Sequence, residues 1–218
     1  MKDKVIIYSG GLDSTTLLHE YKDEIVMAIT FDYGQNHREK EYKYAYFNCL
    51  QLDIPLMSID LKDVFACLKS SLLSGADAIP EGHYEDENMK STVVPFRNGI
   101  MLSIACAIAE SNGLKYVLIA NHGGDHAIYP DCRGTFINAM NDAMAYGTYN
   151  NINILAPYTG ITKADIVKRG AKLGINYENT WSCYKGQDVH CGKCGTCVER
   201  KEAFELAGVP DPTIYKNI

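Results

Sequence analysis

The 218-residue sequence has no run approaching the roughly 18 consecutive apolar residues that a membrane span requires, so no membrane partner is expected. It also lacks any block of about five or six basic residues, and its net charge is −6. The electrostatic footprint of a dedicated nucleic-acid binder is therefore missing; a local basic patch stays open, and a small-molecule substrate is favoured over a nucleic acid. Met1-Lys2-Asp3-Lys4 is followed only by Val5 to Tyr8 before the chain turns polar, which is too short for the apolar middle of a secretory signal. A cytoplasmic protein is expected. No internal repeat or low-complexity tract breaks the chain, and its length suits one domain, 1–218, with a core large enough to need no disulfide.

What is present is an alternation of short apolar runs and helical periodicities. Lys4 to Tyr8, Ile25 to Phe31, Leu56 to Ile59, Tyr116 to Ala120 and Ile152 to Leu155 read as buried strands. Between and after them, helices are expected over Asp13 to Tyr21, His37 to Leu50, Arg97 to Ser111, Phe136 to Ala145 and Lys163 to Lys172. Asn112-Gly113 stops the third, and Thr162-Lys163-Ala164-Asp165 forms a capping box for the last. Such alternation predicts an α/β fold, a doubly wound parallel sheet whose ligand site lies outside the carboxyl ends of the strands. Ser70 to Thr92 is polar, contains glycine and shows no period, which predicts a mobile surface loop or lid.

Ser9-Gly10-Gly11-Leu12-Asp13-Ser14 leaves a strand and opens a helix. Backbone N–H groups and the helix N-terminus can converge there on an anion, and the hydroxyls of Ser9, Ser14 and Thr15 can add donors. The Walker pattern fails for want of a lysine after a second glycine, and the dinucleotide pattern fails for want of a separated third glycine. Asp13 beside phosphate either helps to organise Mg²⁺ or caps the helix. The loop resembles the SGGxDS signature of the ATP-pyrophosphatase superfamily, which implies an adenine nucleotide alpha hydrolase-like (HUP-like) fold and ATP binding. The segment from Tyr8 through Ser9, Gly10, Gly11, Leu12, Asp13, Ser14, Thr15, Thr16, Leu17 and Leu18, with Asp32, then becomes the expected nucleotide site. Backbone groups near Thr30 to Tyr33 become candidates for reading adenine.

Eight cysteines in a chain expected in a reducing compartment call for metal or redox explanations first. Cys49, Cys67 and Cys106 are scattered and read as small buried apolar residues. Cys183, Cys191, Cys194 and Cys197 crowd together, and four sulfurs with no open position read as a structural zinc, one per chain, in a C-terminal appendage spanning 180–201. An iron–sulfur reading needs a fourth cysteine where Lys201 stands. His190 is a weaker alternative ligand.

Trp181-Ser182-Cys183-Tyr184, Cys191-Gly192-Lys193-Cys194-Gly195-Thr196-Cys197, Asp32-Tyr33-Gly34-Gln35, Val94-Pro95-Phe96-Arg97-Asn98 and Tyr129-Pro130-Asp131-Cys132-Arg133 together resemble the 7-cyano-7-deazaguanine synthase family. Phe96 departs from it, standing where the family commonly has a small residue, and His126-Ala127-Ile128 replaces a Tyr-Ser-Gly found in some members. The resemblance implies that ATP adenylates 7-carboxy-7-deazaguanine, that ammonia displaces AMP to give an amide, and that a second activation dehydrates the amide to a nitrile. It also implies a homodimer. With no glutaminase segment recognisable, free ammonia is the expected nitrogen source.

Charge developing on phosphate needs cations, so Lys163 and Arg97 are candidates beside Ser9, Asp13 and Ser14 for catalysis, with solvated surface as the alternative for either. Arg97, Asn98, Asp131 and Arg133 are candidates for holding the deazapurine. Cys132 has no base assigned to it, and packing or substrate contact is preferred over nucleophilic attack. Two rivals remain at this stage: a tRNA thiolase, which should carry a basic surface and a persulfide cysteine, and a non-catalytic nucleotide-binding module.

Overall fold

A computed structural model of the chain describes residues 2–75, 78–83 and 87–216. Its centre is a five-stranded, all-parallel sheet: β1 (Lys4–Ile7), β2 (Ile25–Asp32), β3 (Leu56–Asp60), β4 (Tyr116–Leu118) and β5 (Asn153–Leu155). They lie in the order β3-β2-β1-β4-β5. All five expected strands are present, with β4 two residues shorter than its apolar run.

Side chains alternate across the sheet as strand geometry demands. Val5, Ile29, Phe31 and Val117 face one core. Into it pack α3 (Lys62–Phe65), α4 (Arg97–Ser111) and α5 (Gly134–Gly147). Ile6, Tyr8, Ala28 and Leu118 face the other, covered by α1 (Leu12–Glu20), α2 (Arg38–Gln51), α6 (Lys163–Lys172) and α7 (Gly195–Ala207). Coverage on both faces explains why β1 and β2 read as continuous apolar runs rather than as alternations. The box at α6 forms as expected: Thr162 Oγ1 accepts from Asp165 N, and Asp165 Oδ2 accepts from Thr162 N, each at 3.2 Å.

Sequence periodicity does not announce α3 or α7. The first is one turn long, and the second begins inside the cysteine cluster with Cys194 at its N-cap and no side-chain cap bond. Gly208, at φ +68°, ends α7 in the left-handed conformation that glycine adopts without strain.

The segment from Ser70 to Thr92 departs from a free surface loop where it is described; 76–77 and 84–86 lie outside the described residues. Leu72 is fully buried in the first core, Ser74 N donates to Gly34 O at 2.7 Å, and Ser71 N donates to Ser91 O at 2.8 Å. Packing of Leu72 and Leu73 against the sheet ties the loop down. Asn88–Ser111 is long and apolar enough to cross a membrane by length and composition alone. It is interrupted at Val93–Phe96, and Met101, Leu102, Ala105 and Ala109 of its α4 portion are buried against the sheet.

Candidate active site

Strand order reverses between β1 and β4, and a cleft opens beyond their carboxyl ends, lined by Tyr8 and Ser9 on one side and by Ile119 to Asn121 on the other. That is the position at which open α/β sheets bind ligands.

The glycine loop forms the floor. Gly10 has φ +77°, and a Cβ there would lie 2.7 Å from both Ala45 N and Glu41 O, so glycine lets the loop press onto the α2 backbone. Gly10 O accepts from Trp181 N at 3.0 Å. Gly11 is the N-cap of α1 and offers no side chain to cap it, so the first-turn N–H groups at Leu12, Asp13 and Ser14 are left to face the cleft. Ser9 Oγ accepts from Gly11 N at 3.2 Å and lies 3.1 Å from Ser14 Oγ, which places both hydroxyls at the same helix end.

Beyond this first turn the helix rotates the remaining expected contacts inward. Thr15 is bonded to Tyr8 Oη at 3.0 Å, and Thr16 to Leu12 O and Tyr177 Oη, while Leu17 and Leu18 are fully buried in the second core. None of the four lines the cleft. Asp32 likewise stands outside it, accepting from Gly34 N and lying 3.7 Å from both Arg38 and Lys62, whereas Thr30, Phe31 and Tyr33 are in the wall.

At the other end, Lys163 opens α6 and reaches across to the loop. Its Nζ lies 2.5 Å from Glu199 Oε2 and 3.3 Å from Asp13 Oδ2. Burial opposes the Lys163 charge, but the carboxylates of Asp13 and Glu199 outweigh it and hold the ammonium well above the usual lysine range. Asp13 Oδ1 is buried with no hydrogen bond to a described residue, an orphaned carboxylate oxygen suited to a cation. His122 adds its Nε2 at 3.5 Å from both Glu199 and Asp125. Glu199, His122 and Asp125 were not among the residues singled out from sequence. They converge from α7 and from the turn after β4, with no local pattern to mark them.

Arg97 and Asn98, the first residues of α4, both line the cleft. Arg97 Nη1 donates to Tyr33 Oη at 2.9 Å. Asp131 stays behind the wall, its carboxylate accepting from Asn98 N at 2.8 Å, so it caps α4 from outside the helix. Arg133 is exposed, donates to His126 O, and does not reach the cleft. Cys132 is buried and accepts from Asn98 Nδ2 at 3.2 Å; burial pushes its thiol well above the usual range, which disfavours a nucleophilic thiolate. Phe96 does not line the cleft; its ring lies on the surface, edge-on to Phe136.

Cys183, Cys191, Cys194 and Cys197 are all buried, and their sulfurs lie within 4.8 Å of one another. Tetrahedral zinc with bonds of about 2.3 Å separates sulfurs by about 3.8 Å, and Cys191 and Cys197 are 3.9 Å apart. Cys194 N donates to Cys191 Sγ at 3.3 Å, and Cys191 N to Cys183 Sγ at 3.4 Å, which favours thiolates. The donor set fits zinc. Trp181, Ser182 and Tyr184 flank Cys183, and Thr196 flanks Cys197, so the cluster braces one wall of the cleft. His190 Nε2 is not in the sulfur set; it accepts from Ser182 N at 3.1 Å.

The family profile described as "Queuosine biosynthesis protein QueC" matches residues 3–208. A 7-cyano-7-deazaguanine synthase from Porphyromonas gingivalis is 54% identical over 216 residues, covering 99% of this chain and 98% of the relative. One from Brucella ovis is 48% identical over 217 residues, covering 98% and 93%. In three dimensions the chain is similar to NMN synthetase from Francisella tularensis, with a TM-score of 0.51 at 12% identity, covering 96% of this chain and 79% of that one. This last likeness concerns the fold alone.

Proposed function

The chain belongs to the QueC family of queuosine biosynthesis proteins and functions as an ATP-dependent 7-cyano-7-deazaguanine synthase, and from that premise we propose how its cleft divides the work. The phosphates of ATP sit over Gly10 to Ser14, with Ser9, Ser14 and Lys163 around them and adenine against the backbone of Thr30 to Tyr33. Mg²⁺ is held at Asp13. Arg97 and Asn98 receive 7-carboxy-7-deazaguanine, Arg97 supplying the cation for its carboxylate, with Asp131 holding Asn98 in place.

One observation carries this assignment: the uncapped N-terminus of α1, the Lys163 ammonium and the Arg97 guanidinium all border one cleft. A carboxylate or amide oxygen is a poor leaving group until it is joined to phosphorus, and donors fixed before the reaction stabilise the charge that then develops. The substrate is activated as an adenylate, ammonia displaces AMP, and a second activation removes the amide oxygen. Chain 1–218 acts as one unit, in which 180–201 carries one structural zinc on the four cysteines. The family resemblance further implies a homodimer, which light scattering on the purified protein tests.

Incubation of the protein with ATP, Mg²⁺, ammonium and 7-carboxy-7-deazaguanine should give the nitrile and AMP by mass spectrometry. Absence of nitrile with ammonium present would sink this reading.

A further inference from the structure

Making a nitrile from a carboxylate and ammonia is as much a matter of protons as of phosphates. Ammonium must lose one proton before its lone pair can form the C–N bond. The adduct loses another as the C–O bond to AMP breaks and AMP departs with the electron pair. In the second activation the amide oxygen bonds to phosphorus and pyrophosphate leaves. The nitrogen then sheds its two remaining protons as the C–O bond breaks, AMP again taking the electron pair, and the C≡N bond is completed. The cations already placed in the cleft cannot accept these protons; Glu199 is paired with Lys163, and Asp13 is taken up by Lys163 at Oδ2 and, in the reading above, by Mg²⁺.

We propose that His37 is the general base for these transfers and that Glu41 is its positioning residue. This rests on the synthase reading above. His37 stands at the start of α2, its side chain almost wholly buried, and both residues are in the cleft wall. One turn along the helix, Glu41 Oε1 lies 3.4 Å from His37 Nε2. The other carboxylate oxygen accepts from Gln35 Nε2 at 2.8 Å. Gln35 is itself fixed to the end of β2, donating to Phe31 O at 3.1 Å and accepting from Tyr33 N at 3.0 Å. A chain of partners thus runs from the sheet to the imidazole.

Orientation decides the tautomer. An ionised Glu41 can only accept, so Nε2 of the neutral ring carries the hydrogen and Nδ1 keeps the lone pair. Burial opposes ionisation of Glu41, but His37, Gln35 and Arg97 outweigh it and hold the carboxyl below its ordinary range. Nδ1 is buried and makes no hydrogen bond to any described residue. A buried, unpartnered ring nitrogen costs free energy in a purely structural histidine and is what a base awaiting its proton donor presents. Across from the ring stands Tyr184, with centroids 5.3 Å apart; Tyr33, Arg97, Asp125 and Tyr129 also line the cleft.

The first adenylation consumes a carboxylate that is already deprotonated and needs no base, so the partial reactions separate the roles. In His37→Gln, substrate-dependent exchange of pyrophosphate into ATP should stay within about threefold of wild type, while amide and nitrile formation fall about 100-fold or more. Glu41→Gln, which keeps the shape but weakens the orientation, should lose about tenfold in the same step with exchange retained. Hydroxylamine, far less basic than ammonia and largely unprotonated near neutral pH, should restore acyl transfer in His37→Gln as the hydroxamate. Nitrile formation at the wild-type rate in His37→Gln would overturn the proposal, as would exchange and nitrile formation falling together in both variants. A wild-type protein that exchanges pyrophosphate but makes no nitrile would instead fault the synthase reading itself.

Discussion

Lys163 at the start of α6 and Glu199 on α7 form an ion pair of 2.5 Å, and through it the helix that leaves the cysteine cluster is joined to the glycine loop, because Lys163 also reaches Asp13 at 3.3 Å. The lysine is thereby fixed and charged at the cleft before any substrate arrives. Such preorganisation is where electrostatic catalysis gains its effect, since nothing need reorganise as phosphate charge develops. Replacement of Lys163 by Met should therefore cut AMP release by about 100-fold or more. Glu199→Gln, which removes the closer of the two ion pairs of Lys163, should cost about tenfold and should act on turnover more than on protein yield. Wild-type turnover in Lys163→Met would remove the residue from the mechanism.

Gly10 is a backbone requirement rather than a contact. Its φ of +77° is unfavourable for any residue with a Cβ, and that Cβ would strike two backbone atoms of α2, neither at the flexible end of a side chain. Gly10→Ala should destabilise the fold by at least about 2 kcal/mol, lowering Tm by roughly 4–8 °C, and should raise the KM for ATP as the loop lifts from α2. Calorimetry and initial rates measure the two effects separately. An unchanged Tm would mean that α2 yields without cost.

The strands, most helices and the glycine loop were legible in the sequence because each depends on neighbours a few residues apart. The same is true of the four cysteines, three of which fall within seven residues. The local pattern marks the loop as one continuous segment, of which the fold brings only part to the cleft. At about 100° per residue only the first turn of α1 can face the anion, and Thr15 to Leu18 turn inward, Leu17 and Leu18 into the second core. Glu199, His122 and Asp125 could not be found by periodicity, since the site assembles them from segments far apart in sequence. Asp131 shows the intermediate case: its motif was visible, but its role as a cap on Asn98 appears only when the turn after β4 meets α4.

Arg200 locks the appendage to the domain. It is fully buried, and its guanidinium donates to Tyr177 O at 2.9 Å, Thr180 Oγ1 at 2.9 Å, Ser182 Oγ at 3.0 Å and Thr213 Oγ1 at 2.7 Å. Arg200→Ala takes the guanidinium away from these four acceptors and from its ion pair with Asp211 at 3.8 Å, and a loss of about 3–5 kcal/mol is expected. Because Ser182 is in the cleft wall, residual folded protein should also bind ATP more weakly. Denaturant titration showing a loss below about 1 kcal/mol would mean that water replaces the guanidinium.

Removal of metal from the four cysteines should act on the same wall. Zinc analysis is expected to give about one ion per chain. Prolonged chelation, or Cys197→Ser, should lower Tm and abolish nitrile formation together, since Trp181, Ser182 and Thr196 line the cleft and adjoin Cys183 and Cys197 in the chain. Iron with visible absorbance, or full activity after complete demetallation, would contradict a structural zinc.

Glu41 makes stability depend on pH in a direction that can be worked out. Its carboxyl is held below the ordinary range in the folded chain, so the unfolded chain binds its proton more readily as pH falls. The stabilisation is complete above the ordinary glutamate value of about 4.3 and is lost as pH falls through the lower folded value. Glu41→Gln removes the ionisable group, so the difference in Tm between wild type and variant should be greatest near neutral pH and shrink progressively below about pH 4.3. Thermal melts across that window measure it. A difference that stays constant on acidification would mean that the Glu41 carboxylate gains nothing from His37 and Gln35, and the orientation of the imidazole would then need another source.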